Sequence, residues 1–139
     1  MAVGLAENEL LRTFKPGWVQ WFRDYCTAIN FDPGDYVIER GCAAAGMYLL
    51  LDGRVSVQKT NGDPIATIRD GSVVGEMALV DGGSRSADVV AETSVSTLMI
   101  TKSQVEAIGQ TRPDIGLVIM TNLCSIISTR ARHLHEMIA

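Results

Sequence analysis

The sequence predicts a mainly β domain, an antiparallel sandwich or barrel, with helices at both ends. Three observations carry this. Turn-forming pairs recur about every ten residues between Phe31 and Ile100. The runs between them alternate apolar and polar residues. Both ends of the chain switch to apolar residues at three- and four-residue spacing. At 139 residues the length suits one domain with a single core, helical over 1–30, β over about 31–100 and helical again over about 102–138.

In chain order, Trp18, Val19, Phe22, Tyr25, Cys26 and Ile29 mark one apolar face of a helix over the first thirty residues, with Pro16 in its first turn. Trp18 and Trp21 are expected to pack that helix onto the β-core. The turns follow at 32–35 (DPGD), 52–53 (DG), 61–64 (NGDP), 70–71 (DG) and 81–83 (DGG). Between them RVSVQKT, PIATI, ADVVA and VSTLMI read as strands, and Asn61-Gly62 as a hairpin tip. Met47, Met77 and Met99 are expected as core filler. Thr101 and Gln104 fit a capping box, in which side chain and backbone satisfy each other's exposed groups at a helix start. Pro113 opens a last helix of about 25 residues, whose apolar stripe runs through Ile119, Leu123, Ile126, Ile127, Leu134, Met137 and Ile138.

A net charge of -4 gives no general attraction to nucleic acid or to an anionic membrane, so an anionic ligand needs a local site. Cys26, Cys42 and Cys124 have no CxxC spacing, which favours reduced thiols in a cytoplasmic protein over a disulfide or zinc site. The longest uncharged apolar run, Ala43 to Leu51, is about half a membrane span, and the N-terminus has no signal-peptide pattern. Neither export nor membrane insertion is expected. His133 and His135 are two apart on a helix and face different ways, and the β-core contains no histidine, so no metal is expected. No serine or cysteine has a histidine placed to activate it, which argues against an enzyme.

The stretch GEMALVDGGSRSAD, residues 75–88, carries the chemistry. Glu76 to Val80 follow Gly75 and suit one helical turn, whose first amides and positive dipole end favour an anion. After the glycine turn Arg85 returns with paired planar donors for phosphate oxygens. Glu76, an acceptor only, suits sugar hydroxyls beside that phosphate. Alone, two such charges are more often a structural ion pair or two unrelated surface charges. Together with the helical turn they ask for a sugar phosphate.

The segments PGDYVIERG, MYLLLDGRVSV and GSVVGEMALVDGGSRSADVVA resemble the successive signatures of the cyclic nucleotide-binding domain, over roughly residues 10–138. The resemblance implies an eight-stranded antiparallel jelly roll with an N-terminal helix, a short phosphate-cassette helix and two C-terminal helices. It implies cAMP or cGMP as ligand, with Glu76 on the ribose 2′-hydroxyl and Arg85 on the cyclic phosphate. Gly75, Met77 and Ala78 would add backbone contacts, Ser86 and Ala87 a hydroxyl and an amide, and Val57, Ile65 and Ala66 an apolar rest for the base. The last helix would be the lid, with Arg130, Arg132 and Leu134 as candidates. Ser84 stands where the family often has proline, Val74 where it often has an aromatic residue, and Asp88 adds an acid near the phosphate side. cAMP is favoured over cGMP, although Ser86 would also suit a guanine amino group. The implied function is regulatory, with binding passed through the last helix to an attached or partner effector and with homodimer formation through that helix. The competing reading is a domain that kept the fold without the ligand, as a docking or oligomerisation module of a larger enzyme or transporter.

Overall fold

The computed structural model describes residues 4–42, 45–59, 61–80 and 87–138, with side chains to residue 133. Eight strands form two four-stranded sheets. They are β1 (Thr27–Phe31), β2 (Tyr36–Ile38), β3 (Met47–Asp52), β4 (Arg54–Gln58), β5 (Pro64–Arg69), β6 (Val73–Val74), β7 (Asp88–Ala91) and β8 (Val95–Ile100). The sheet orders are β1-β8-β3-β6 and β2-β7-β4-β5, with every pairing antiparallel. Successive strands alternate between the sheets except at the β4–β5 hairpin, which gives the jelly roll that the resemblance implies. Three helices flank it: α1 (Trp18–Arg23), α2 (Lys102–Thr111) and α3 (Pro113–Ile138).

The apolar residues form two cores, one on each face of the first sheet. Val37, Ile38, Tyr48, Leu50, Val55, Val74, Val89, Ala91 and Val95 fill the space between the sheets. Met47, Leu49, Val73, Leu98 and Ile100 face outward to Leu10, Leu11, Phe22, Leu79 and the inner residues of α2 and α3. This is why Met47 to Leu50 are apolar without a break: β3 is covered on both faces, so alternation has no solvent side to mark. Ile115, Ile119 and Leu123 are fully buried, which fixes the first half of α3 on the sheet. Each such side chain contributes about 1.5–3 kcal/mol by leaving water.

The N-terminal expectation needs correction. The helical part of the first thirty residues is a short 3-10 turn at Leu5–Glu7 and the six residues of α1, while Thr27–Phe31 is a strand. Ile29 falls at helical spacing from Cys26, but β8 supplies a ladder from Thr27↔Met99 to Phe31↔Val95, and Ile29 and Phe31 pack between the sheets. Pro16 lies ahead of the helix, whose N-cap is Gly17 at φ 87°. Trp18 and Trp21 do pack against the outer core, within an aromatic cluster that includes Phe14 5.6 Å from Trp18 and Tyr25 4.8 Å from Trp21. The Asn61-Gly62 tip and the Thr101–Gln104 capping box form as expected.

The chain enters α3 through a close crossing with α2. A Cβ on Gly116 would lie 2.8 Å from the Gly109 Cα, whereas a Cβ on Gly109 would meet nothing within 4 Å. Gly116→Ala therefore forces two helix backbones apart and is expected to cost about 1–3 kcal/mol in urea unfolding. Gly109→Ala is expected to be neutral or stabilising by up to about 1 kcal/mol, through helix propensity alone. Equal effects of the two substitutions would contradict this crossing.

Candidate functional site

The segment after β6 begins with a backbone that needs glycine. Gly75 has φ 75° and ψ 25°, in the left-handed region, and reverses the chain out of the strand. A 3-10 turn then covers Glu76–Leu79, closed by Ala78 N–H donating to Gly75 O at 3.1 Å and Val80 N–H to Met77 O at 3.0 Å. Its first two amides stand outside its own hydrogen-bond ladder. Ala78 and Leu79 are buried and anchor the turn, while Met77 is 49% exposed and Val80 similarly open. Met77 is therefore not core filler, unlike the fully buried Met47. The turn has two anchors to the core and leaves Glu76 at its leading edge.

Glu76 meets a partner that sequence reading did not give it. Arg130, on α3, places one guanidinium nitrogen 2.6 Å from Glu76 Oε1. Its other terminal nitrogen donates to Glu9 Oε1 at 3.0 Å and to Val73 O at 2.8 Å. Glu9 Oε1 also accepts from Val73 N–H at 3.1 Å. One arginine thus ties α3, the edge strand β6, the N-terminal segment and the cassette turn together. Glu76 is only 16% exposed and Arg130 33%, so water screens the pair less than a surface bridge. A carboxylate has about four acceptor positions on its two oxygens. Among the described residues Glu76 pairs with Arg130 through one oxygen, which leaves acceptor positions for ligand hydroxyls.

The N-terminal segment that brings Glu9 here is itself pinned. Asn8 is buried, with its amide donating to Ser72 O at 3.1 Å and its oxygen accepting from Leu10 N–H at 3.1 Å. Asn122 of α3 donates to Leu10 O and Thr13 Oγ1, each at 2.8 Å. Nothing local in the sequence marks Asn8, Glu9 or Asn122 for these roles, because their partners lie up to 112 residues away.

The other expected residues divide. Val57 and Ala66 are register partners across the β4–β5 hairpin, with Val57 packed against the inter-sheet core. The register shifts next to them, and Ile65 is 56% exposed. Arg132 donates to Ser128 Oγ at 2.9 Å, one turn back on its own helix. Arg85, Ser86 and the side chain of Leu134 lie outside the described residues, as does Ser84. Ala87 precedes β7 and is partly buried. Asp88, the acid expected near the phosphate side, accepts from Arg40 N–H at 2.7 Å, at the end of β2. Among the described residues no cluster of histidine, cysteine or carboxylate side chains has the arrangement of a metal site. No helix among them is long and apolar enough to cross a membrane.

The fold is a β-roll with a glycine-led cassette turn and a helical arm, and comparison with known proteins names the class. Residues 28–112 match the family model described as cyclic nucleotide-binding domain, and the chain belongs to that family. It is 31% identical over 129 residues, 93% of its length, to glutaminase 2 of Bradyrhizobium diazoefficiens. It is 36% identical over 92 residues to the cAMP-dependent protein kinase regulatory subunit of Aspergillus fumigatus. The chain spans about a fifth of either relative, 20% and 22% respectively. Among solved structures, a cyclic nucleotide-binding domain from Methylobacillus flagellatus superposes with a TM-score of 0.86 at 22% identity, over 99% of this chain and 86% of that one. The catabolite activator protein of Thermus thermophilus gives 0.82 at 23% identity, over 94% and 62%. Both share the fold.

Proposed function

We propose that this chain is a regulatory domain that binds a cyclic nucleotide, cAMP ahead of cGMP, and passes binding through α3 to an attached or partner effector. The observation that carries the proposal is the Arg130–Glu76 contact, which joins the helical arm to the carboxylate that the family motif places on the ribose. A sugar hydroxyl donating to Glu76 changes the charge that Arg130 feels. Occupancy of the cassette and the position of α3 are then coupled, and binding shifts the population of the arm. Arg85 clamps the cyclic phosphate beside the first amides of the cassette turn. The preference for cAMP draws on the cAMP-dependent relative.

The domain is read as a single non-catalytic unit working in the cytoplasm. Its likeness to part of glutaminase 2 suggests an enzyme as one kind of effector. The second reading is a docking module without ligand, in which Arg130 serves only as the charge partner of Glu76 within the chain.

Titration calorimetry separates the two. The proposal expects saturable heat with cAMP, and a loss of about 2–5 kcal/mol in Arg85→Ala, which leaves the buried phosphate without its charge partner. No heat at about millimolar cAMP or cGMP overturns ligand sensing and leaves the docking module.

Partner binding through α3 has its own support. Leu117 is 69% exposed and Met120 39%, and with Cys124, Ile127 and Ala131 they follow alternating three- and four-residue steps. The spacing continues in sequence at Leu134 and Ile138. This is the a/d repeat of a two-stranded coiled coil, and it suits a parallel homodimer in which the two Cys124 residues share a layer. Burial pushes the Cys26 thiol up to about 12, against a smaller opposing effect of Arg23, so Cys26 stays protonated and slow to react. Mild oxidation is expected to give a covalent dimer that Cys124→Ser abolishes and Cys42→Ser does not. A monomer by sedimentation, with no band that depends on Cys124, contradicts the seam.

A further inference from the structure

Among the described residues the two sheets end on four edge strands, and three of these carry features that discourage further pairing. β6 is two buried residues long, and side chains cap it: Val73 N–H donates to Glu9 Oε1 and Val73 O accepts from Arg130. β5 begins at Pro64, shifts register against β4 and ends on Arg69. β2 is three residues long and shifts register against β7. Short length, proline, charge and bulges are the usual means by which a sheet edge is kept from pairing with another chain.

β1 has none of them. It runs for five residues in unbroken register with β8, and its sequence TAINF contains no charge, proline or glycine. Thr27, Ala28 and Asn30 are exposed. Ile29 turns its carbonyl to β8, where Thr97 Oγ1 donates to it at 2.8 Å. Backbone direction alternates along a strand, so the N–H and C=O groups of Ala28 and Asn30 point to the open side. Among the described residues nothing bonds them there.

An open edge of this kind takes up an extended strand. The strand that suits it is β1 itself. Antiparallel pairing about a two-fold axis at Ile29 sets Ile29 opposite Ile29 of a second copy, Ala28 opposite Asn30 and Thr27 opposite Phe31. No like charges meet in any of these pairs. Ile29 and Phe31 are half-buried against the inter-sheet core, and the pairing continues their apolar row into the second copy. A register offset by one residue would set that row against Ala28 and Asn30 and break it.

We propose that the β1 edge is a self-association surface, on which two copies of this chain join antiparallel and turn two four-stranded sheets into one continuous sheet. Ala28 and Asn30 exchange the backbone hydrogen bonds across the two-fold axis, and Ile29 packs on Ile29 of the second copy. The contact uses an element other than α3 and is separate from the helical seam.

Disulfide mapping tests the register. In the Cys42→Ser/Cys124→Ser chain, which lacks the seam thiol, Ala28→Cys and Asn30→Cys are made separately. Directly opposed residues have Cα atoms about 5.5 Å apart, within disulfide reach, whereas residue 28 lies diagonal to residue 28 of the second copy, at about 7–8 Å and beyond it. Mild oxidation of an equimolar mixture is expected to link the two variants, while either alone stays unlinked. Linking of one variant alone to the same extent, or an unlinked mixture, overturns the pairing. Backbone amide exchange checks the edge without cysteines: in the natural sequence, exchange at positions 28 and 30 is expected to slow as the chain is concentrated. Ala28→Lys/Asn30→Lys, which sets lysines opposite each other, should remove that dependence. Exchange at these amides that does not change with concentration in the natural sequence overturns the surface.

Discussion

One guanidinium holds four parts of this molecule in register. Arg130, on α3, bonds Glu76 in the cassette turn, Glu9 in the N-terminal segment and the Val73 carbonyl of the edge strand. Arginine suits the position because its donors are planar and spread, so that one side chain serves acceptors on different elements at once. A lysine would offer a point charge with no fixed fork. The contact carries weight because the first half of α3 is already fixed on the sheet by Ile115, Ile119 and Leu123. Only the second half is left for Arg130 to direct.

The constraint is also economical in charge. Glu76 and Glu9 are both partly buried, and a carboxylate away from water is costly unless something balances it. Arg130 donates to both, and its single positive charge is shared between them. Any group that adds hydrogen bonds to Glu76 therefore bears on the placement of α3 and, through Glu9, on the N-terminal segment. This gives the domain a physical route from its ligand position to its ends, where an effector would be joined. The apolar seam lies on another face of the same helix, away from Arg130.

Much of the fold was legible because it is written in local pattern. Alternation in RVSVQKT, the Asn61-Gly62 tip and the Thr101–Gln104 box are short-range signals, and each appears where the sequence puts it. β1 was not legible, because Thr27–Phe31 becomes a strand only through β8, and Ile29 fits the preceding helical spacing equally well. The cassette turn was legible for the same reason as the hairpins: Gly75 and the apolar run after it are contiguous. The Glu76 partner was not. Arg130 contacts Glu9 across 121 residues, and no periodicity in the chain encodes a meeting of that kind. The family motif singled out Glu76 and Arg85 and offered Arg130 among three lid candidates, and the fold brings Arg130 onto Glu76.

The central claim is that Glu76 and Arg130 act as a unit. A double-mutant cycle on unfolding stability, with Glu76→Gln and Arg130→Met singly and together, measures it most directly. The account predicts that the second substitution costs much less once the first is present, with a coupling of about 0.5 kcal/mol or more, as for residues in one polar network. Additive effects, within about 0.3 kcal/mol, would show two independent side chains and contradict it.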